Sequence, residues 1–136
     1  MKKRTTSGCP VALSLDMLGD KWSLVILRDI VLGGKSHFRE LLGSPEKIST
    51  NILSSRLDSL VKDGFLTRHD DPANKSAAIY KPTQKSIDLL PMLFEFMNWG
   101  VKYTDADVTL PGVKVVLEQP EAVKAGVLAR YADVLA

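Results

Sequence analysis

The pattern of hydrophobic and polar positions between residues 36 and 64 predicts two helices joined by a turn. Residues 36–42 form a short amphipathic segment with Ser36 placed as its N-cap, and a turn follows at residues 43–45. Ser49 offers the N-cap of a second helix, residues 50–63, and Gly64 suits its C-cap. The apolar positions of the second helix recur at spacings of three and four and form one buried stripe, made of Leu53, Leu57, Leu60 and Val61.

Residues 65–82 predict a β-hairpin directly after this pair of helices. Residues 65–69 and 78–81 have strand character, and the turn-rich residues 70–76 between them predict a long polar tip. A helix-turn-helix followed by such a wing sets one helix in a DNA groove and a loop beside it. The expected fold class is therefore mainly α (α+β), a winged helix-turn-helix.

Helices are also predicted on both sides of this unit. Residues 10–18 and 21–32 form two helices broken at Gly19-Asp20, and residues 84–103 form another, capped by Thr83 and kinked or broken near residues 87–90 by Pro91. This last helix has more apolar surface than a small wing domain needs to cover: Ile87, Leu89, Leu90, Leu93, Phe94, Phe96, Met97, Trp99 and Val101. We expect part of it to form a subunit interface, which makes these flanking helices dimerisation helices; ordinary core packing is the alternative.

The helix at residues 50–63 carries short polar groups and one arginine away from its apolar stripe. These residues are Ser49, Asn51, Ser55 and Arg56, with Ser54 at the edge. A face that only met water would more often carry glutamate and lysine, which are better helix formers than serine and asparagine. Hydroxyl, amide and guanidinium groups read base edges and bind phosphates, so a groove-facing helix is favoured over the alternative of a solvated face.

The charge distribution agrees with a DNA-binding face. The chain has 136 residues, of which 45% are hydrophobic, so one domain with a modest core is expected, and the net charge is only +2. From Lys35 to Lys85 there are nine Lys or Arg against six Asp or Glu, whereas residues 105–136 have three against five. No apolar run approaches transmembrane length, and the basic start lacks the apolar stretch of a signal peptide. The expected location is the cytoplasm, with no membrane partner.

Several short motifs, in order along the chain, resemble the HxlR-type regulators, a winged-helix family related to the MarR repressors. They are Cys9-Pro10-Val11, residues 19–24, Phe38-Arg39-Glu40-Leu41, Ile48-Ser49, residues 57–60 with Asp63-Gly64, Arg68, Tyr80, Pro91 and Trp99-Gly100. The resemblance spans about residues 9–103 and implies a homodimeric bacterial transcription factor that binds inverted-repeat operators. The sequence departs from the family pattern at His37, where a basic residue is usual, at Pro82-Thr83 and at Ser86.

The residues and the resemblance together predict the organisation and the partners of the chain. We expect an N-terminal arm at residues 1–8, the winged helix-turn-helix domain at 9–104, and an extension at 105–136 in which Pro120 begins a helix reaching about Leu135. The apolar residues 113–117 do not distinguish helix from strand. The expected partners are a double-stranded inverted-repeat operator, a second copy of the chain, and a small-molecule or oxidant effector. The expected DNA-binding residues are Ser36, His37, Arg39, Lys47, Ser49, Asn51, Ser54, Ser55, Arg56, Arg68 and Lys75.

Cys9 is the expected redox-sensing residue, since the resemblance implies that a cysteine at this position is a redox or electrophile sensor in several family members. A helix N-terminus favours the thiolate, and Lys2, Lys3 and Arg4 add positive potential if the N-terminal arm folds back. With no second cysteine in the chain, oxidation gives an intersubunit disulfide, a mixed disulfide or an adduct. The alternative is a small, buried apolar residue.

The remaining residues show no pattern for catalysis or for a cofactor. His37 and His69 have no carboxylate or cysteine at metal-ligand spacing, and there is no Gly-rich phosphate loop. We therefore expect the protein not to be an enzyme and to bind neither a metal nor a cofactor. The alternative function is a winged helix used only for protein contacts, which would not need the polar groups of Ser49, Asn51 and Ser55.

Overall fold

The computed structural model describes residues 7–135 and has a helical body with one two-stranded sheet. Its elements are α1 (Pro10–Leu18), α2 (Lys21–Val31), α3 (Phe38–Leu42), α4 (Thr50–Lys62), β1 (Leu66–Asp71), β2 (Asn74–Pro82), α5 (Gln84–Ile87), α6 (Leu90–Tyr103), α7 (Val113–Glu118), α8 (Pro120–Arg130) and α9 (Ala132–Leu135). Helices α3 and α4 form the helix-turn-helix and the β1–β2 hairpin forms the wing, which confirms the predicted fold class. Lys2, Lys3 and Arg4 of the N-terminal arm lie outside the described residues.

The N-cap predicted for α4 is confirmed, whereas the one predicted for α3 is wrong. Ser49 Oγ accepts a hydrogen bond from the backbone N–H of Ile52 at 3.2 Å. The N-cap of α3 is His37 and not Ser36. The reason is that Glu40 Oε1 reaches back and accepts hydrogen bonds from the backbone N–H groups of both Ser36 and His37, each at 3.1 Å.

The wing has longer strands and a shorter tip than the sequence predicts. The two strands are antiparallel, and only Pro72 and Ala73 separate them. Asp71 Oδ1 accepts a hydrogen bond from Ala73 N–H at 2.9 Å, and Asn74 Oδ1 accepts one from Ser76 N–H at 3.1 Å. These side chains tighten the turn. The prediction of a long polar loop at residues 70–76 is wrong, because polar residues that usually mark a loop here belong to an exposed hairpin.

Two clusters of buried side chains stabilise the fold. The first joins α1–α4 to the base of the wing and includes Leu18, Ile26, Leu27, Ile30, Leu41, Ile48, Leu53, Leu57, Leu60, Phe65, Leu66 and Tyr80. The leucines of the predicted α4 stripe are buried there, and Val61 packs against the cluster half-buried. The second cluster joins α2, α5 and α6 to the C-terminal extension and includes Val31, Ile87, Leu90, Phe94, Val116, Val127 and Tyr131.

The predicted break in the helix at residues 84–103 is confirmed, since α5 ends at Ile87 and α6 begins at Leu90, directly before Pro91. Thr83 occupies the N-cap position of α5, but its hydroxyl makes no hydrogen bond to the helix. The hydroxyl donates instead to the Gly64 carbonyl at 2.6 Å. The buried Ser86 hydroxyl donates to the Phe65 carbonyl. Thr83 and Ser86, two positions where the sequence departs from the family pattern, therefore connect α5 to the segment between α4 and β1.

The C-terminal extension folds back on its own subunit. Residues 113–118 are helical, and two short helices, α8 and α9, replace the single helix predicted to begin at Pro120. Tyr131 Oη donates to the carbonyl of Ile30 at 2.7 Å. Asp133 lies 3.5 Å from the ammonium of Lys81 at the base of the wing. The extension therefore braces the C-terminal end of α2. Among the described helices, none combines the length and the apolar character that crossing a bilayer requires.

Candidate nucleic-acid interface

The N-terminal half of α4 presents exposed polar side chains beside the wing. Thr50, Asn51, Ser54 and Ser55 are all exposed, and so is the N-cap Ser49. The buried leucine stripe on the other side of α4 fixes this orientation. Because hydroxyl and amide groups donate and accept, this surface suits contacts with base edges and phosphates.

An open groove of about 910 Å³ separates α4 from the wing. Ser54 and Asp58 of α4 line it together with Arg39 of α3 and Arg68 of β1. Its ionisable lining residues are His37, Arg39, Glu40, Asp58, Arg68, Asp71 and Tyr80. Since this set contains three carboxylates, the groove is mixed in charge. Sequence reasoning missed Asp58, although its spacing from Asn51 and Ser54 on the helix places it on the same exposed side.

Lys47 has an unusual backbone conformation in the turn before α4, two residues before the N-cap Ser49. Its φ is 61°, and it is the one non-glycine residue with positive φ among residues 7–135. Its backbone N–H donates to the Ser44 carbonyl at 2.9 Å, and its side chain is exposed. The left-handed conformation costs a residue with a Cβ roughly 1–2 kcal/mol. The turn between α3 and α4 thus holds a lysine where glycine would be less strained.

Arg28 of α2 holds the same turn between α3 and α4 in place. Glu46 and Ser44 both contact the guanidinium of Arg28, and the hydrogen bonds from Arg28 lower the pKa of Glu46 to about 2. Asp29 also accepts from Arg28, so the guanidinium lies between two carboxylates. This network positions the start of α4 against the body of the domain.

Arg56 is not on the exposed face where the sequence placed it. Its Nε donates to Asp20 Oδ1 at 3.0 Å, which joins α4 to the N-terminus of α2. Asp20 also caps α2 by accepting from Ser23 N–H at 2.9 Å. Although partial burial opposes ionisation, the hydrogen bonds from Ser23 and Arg56 lower the pKa of Asp20. The predicted placement of Arg56 on the exposed face is therefore wrong. Its guanidinium connects α4 to α2.

The other predicted DNA-binding residues are divided between this surface and internal contacts. Arg39, Arg68 and Lys75 are exposed on α3, β1 and β2. Ser36 and His37 are half-buried between α3 and the wing, where the Ser36 hydroxyl lies 3.0 Å from His37 Nδ1. The fold therefore brings Arg39, Ser54 and Arg68 together along the groove. Within residues 7–135 no group of His, Cys, Asp and Glu side chains is arranged to hold a metal ion.

Cys9 is exposed and is the N-cap of α1, so the alternative of a buried apolar residue is wrong for the single subunit. Hydrogen bonds from the backbone at Ala12 and Val11 lower the pKa of the Cys9 thiol. The thiolate is the form that reacts with oxidants and electrophiles. The site has the accessibility and the electrostatics that a reactive cysteine needs.

Large apolar side chains remain exposed on α1 and α6. Val11 and Leu15 of α1 are 68% and 59% exposed, and Phe96, Trp99 and Tyr103 of α6 are 57–62% exposed. The rings of Trp99 and Tyr103 pack together with their centroids 5.1 Å apart. Ordinary core packing, the alternative reading of the α6 surface, does not account for Phe96 and Trp99, which the subunit leaves uncovered.

A helix-turn-helix with a wing, a polar α4 surface and flanking helices defines a transcriptional regulator of the winged-helix class. The chain belongs to the HxlR-like helix-turn-helix family, whose model matches residues 17–108. It is similar to BH0655 of Halalkalibacterium halodurans, with 33% identity over 101 residues that cover 74% of this chain and 89% of that protein. It is also similar to YdeP of Bacillus subtilis, with 32% identity over 98 residues that cover 72% of this chain and 76% of YdeP. Both carry the description of HTH-type transcriptional regulators.

Solved structures of related regulators have the same fold. PA1607, described as a transcription factor, shares 36% identity with a TM-score of 0.66, covering 74% of this chain and 69% of that one. The reduced form of the regulator YodB from B. subtilis shares 26% identity with a TM-score of 0.56, covering 74% and 100%. The diamide-treated form of YodB gives a TM-score of 0.52, and the match covers 72% of this chain and 97% of YodB. The protein is thus a regulator of the HxlR type, a family of transcriptional regulators and not of enzymes.

Proposed function

We propose that this regulator binds an inverted-repeat DNA operator as a homodimer, with one α4 helix of each subunit in a major groove. The observation that carries the proposal is the exposed polar surface of Asn51, Ser54 and Ser55 beside a wing that bears Arg68 and Lys75. The polar side chains of α4 would contact base edges, and the cationic side chains of the wing would contact phosphates. Arg39 of α3 and Lys47 in the turn before α4 would add phosphate contacts.

The dimer is proposed from the apolar side chains on α1 and α6. Phe96, Trp99 and Tyr103 are aromatic residues of the kind enriched in interfaces, and each is more than half exposed in the single subunit. Covering them with the same surface of a second copy gives a twofold arrangement. A twofold dimer presents its two α4 helices to two half-sites of opposite orientation, about 10 base pairs apart. We propose residues 9–104 as the unit that dimerises and binds DNA, with residues 105–136 as a brace.

Cys9 is proposed as the point at which an oxidant or electrophile acts on this dimer. The related YodB has been obtained in reduced and diamide-treated forms, which supports thiol chemistry in a protein of the same fold. In the simplest case, two Cys9 thiols of a dimer form one disulfide and reduce diamide to its hydrazine, with the loss of two protons and two electrons from sulfur. A change at the start of α1 would tilt one subunit against the other and alter the spacing of the α4 helices.

The proposal is tested by selecting DNA from a pool of random duplexes with the purified protein. We expect the enriched sequences to share an inverted repeat, and binding to weaken strongly with rising salt. A protein that worked only through protein contacts would enrich no sequence and would elute from heparin without strong salt dependence. The mass of the complex by light scattering should correspond to two chains on one duplex.

A further inference from the structure

His37 lies where the helix-turn-helix meets the wing. The carbonyl of Ser36 accepts a hydrogen bond from Tyr80 N–H of β2 at 2.8 Å, and His37 pairs with Ile79 as an isolated antiparallel bridge. The next residue begins α3. The backbone of His37 is therefore held between α3 and β2. The His37 side chain is 37% exposed.

Both nitrogens of the His37 ring face carboxylates on different elements. Nε2 lies 3.0 Å from Asp71 Oδ2 at the end of β1, and Nδ1 lies 3.1 Å from Glu40 Oε1 on α3. Each carboxylate is held by backbone N–H groups, Asp71 by that of Ala73 and Glu40 by those of Ser36 and His37. These backbone hydrogen bonds, with the contribution of His37, lower the pKa of both carboxyl groups. Both are therefore ionised at neutral pH.

The number of protons on the ring decides whether both contacts are made. An ionised carboxylate only accepts hydrogen bonds, and a neutral imidazole has one N–H donor, so only the doubly protonated ring of His37 donates to Asp71 and to Glu40 together. In the neutral ring, Nε2–H can still donate to Asp71 while Nδ1 accepts from the Ser36 hydroxyl, 3.0 Å away. The contact of the ring with Glu40 and the charge attraction to Asp71 are then lost, whereas the hydrogen bond from the His37 backbone N–H to Glu40 remains. Deprotonation loosens the connection without removing it.

We propose that His37 is a pH-sensitive clasp, which in its charged form holds the wing against α3 and so favours operator binding. His37 is a positioning residue here: it sets the angle between the wing and α4. The dependence on operator binding rests on the proposed function, whereas the clasp itself exists without DNA. The charged and titratable groups that share the groove with His37 are Arg39 and Glu40 from α3, Asp58 from α4, Arg68 and Asp71 from β1, and Tyr80 from β2.

The direction of the pH effect follows from these neighbours. Hydrogen bonds to Asp71 and then to Glu40 raise the pKa of His37 above its ordinary value of 6.5. A group whose pKa is raised on closure contributes its full stabilisation below the ordinary pKa and loses it as the pH rises through the raised pKa. The clasp is therefore closed at pH 6 and loosens in the range above pH 6.5, which includes the pH of most cells.

The clasp is tested first in the free protein by NMR. The His37 ring is expected to titrate above 6.5, and Asp71→Asn should lower that midpoint. In wild type, protection of the wing amides against hydrogen exchange, corrected for the intrinsic effect of pH, should be greater at pH 6 than at pH 8. In His37→Gln the corrected protection of the wing amides should be the same at pH 6 and at pH 8. A His37 midpoint at or below 6.5, or one that Asp71→Asn leaves unchanged, would overturn the proposal.

The DNA measurement compares affinity for the selected operator at pH 6 and pH 8 at constant ionic strength. We expect wild type to bind about two- to fivefold more tightly at pH 6, the size that a partly exposed ion pair supports, and His37→Gln to bind equally at both. His69→Gln is the matched control, because His69 is an exposed wing residue whose ring contacts Thr67. It should keep the wild-type pH dependence; loss of the dependence in His69→Gln, or its survival in His37→Gln, would contradict the clasp. Absence of DNA binding at any pH would reject the proposed function, and the ring titration would still decide the clasp.

Discussion

Arg28 and Glu46 meet through two hydrogen bonds, from Nη1 to Oε2 at 2.7 Å and from Nη2 to Oε1 at 2.9 Å. Both side chains are about one-third exposed, so solvent weakens but does not cancel their attraction. The pair joins the last turn of α2 to the turn that precedes α4. Because α4 carries the proposed DNA-reading surface, this ion pair sets where that surface begins relative to the rest of the domain.

Glu46→Gln is expected to lower the free energy of unfolding by about 1 kcal/mol at pH 7, because the amide cannot reproduce both charged hydrogen bonds. The pKa of Glu46 is lowered to about 2, so its contribution is present above the ordinary value of 4.5 and is lost as the pH falls toward 2. Denaturant unfolding of both proteins between pH 7 and pH 3 measures this. The difference between them should shrink below pH 4.5. Glu118→Gln, at an exposed position in α7, is the control and should change stability little.

Lys47 should show opposite effects on stability and on binding. Lys47→Gly removes the strain of the left-handed conformation and is expected to raise the free energy of unfolding by about 1 kcal/mol. It also removes a proposed phosphate contact and should reduce the slope of log affinity against log salt by about one. Lys47→Ala separates the two effects, since it loses the charge and keeps the strain. If Lys47→Gly bound the operator as well as wild type, Lys47 would stand clear of the DNA.

Tyr131 tests whether the extension stabilises the domain. Its buried hydroxyl donates to the Ile30 carbonyl, 101 positions earlier in the chain. Tyr131→Phe keeps the ring in the second buried cluster and deletes this hydrogen bond, so a loss of about 1 kcal/mol is expected. Thermal and denaturant unfolding measure the loss. Tyr103→Phe, in a residue 62% exposed, is the matched control, and equal effects of the two substitutions would mean that the Tyr131 contact contributes nothing.

Cys9 should make operator binding sensitive to thiol oxidants. Diamide is expected to weaken operator binding by wild type while leaving the far-UV circular dichroism unchanged, because a tilt between subunits preserves each fold. Cys9→Ser should bind the operator normally and be insensitive to diamide. Affinity is measured for both proteins with and without the reagent, and again after reduction. An equal loss of affinity in Cys9→Ser would place the oxidant's effect elsewhere.

Local sequence signals predicted α4 well, and they predicted the wing only in part. Ser49, the leucine spacing and Gly64 each act over a few residues, so the start and the buried side of α4 follow from the sequence alone. The tip of the wing depends on hydrogen bonds that the Asp71 and Asn74 side chains accept from nearby backbone N–H groups, which convert a polar stretch into paired strands. Asp and Asn usually mark loops, and their residue type alone does not show that their side chains will stabilise a tight hairpin turn.

Long-range partners explain the other differences. Arg56 lies three positions after the buried Leu53, beside the apolar stripe, and its partner Asp20 is 36 residues away, so helical spacing could indicate its side of α4 but not its contact. His37 meets Asp71 across 34 residues for the same reason. The positive φ of Lys47 has no sequence signal, because the turn contains a lysine where a glycine would have marked it.

The proposed function requires the exposed face of α4 to read DNA sequence, and Asn51→Ala tests this most directly. Affinities of wild type, Asn51→Ala and Asn98→Ala are measured for the selected operator and for a scrambled duplex of equal length and composition. Asn98 is exposed on α6, outside the helix-turn-helix and the wing, and serves as the matched control. We expect Asn51→Ala to lose about 5- to 100-fold in operator affinity with little change for scrambled DNA, and Asn98→Ala to behave as wild type. Equal affinity of wild type for operator and scrambled DNA, or an operator affinity that Asn51→Ala does not reduce, would contradict the claim.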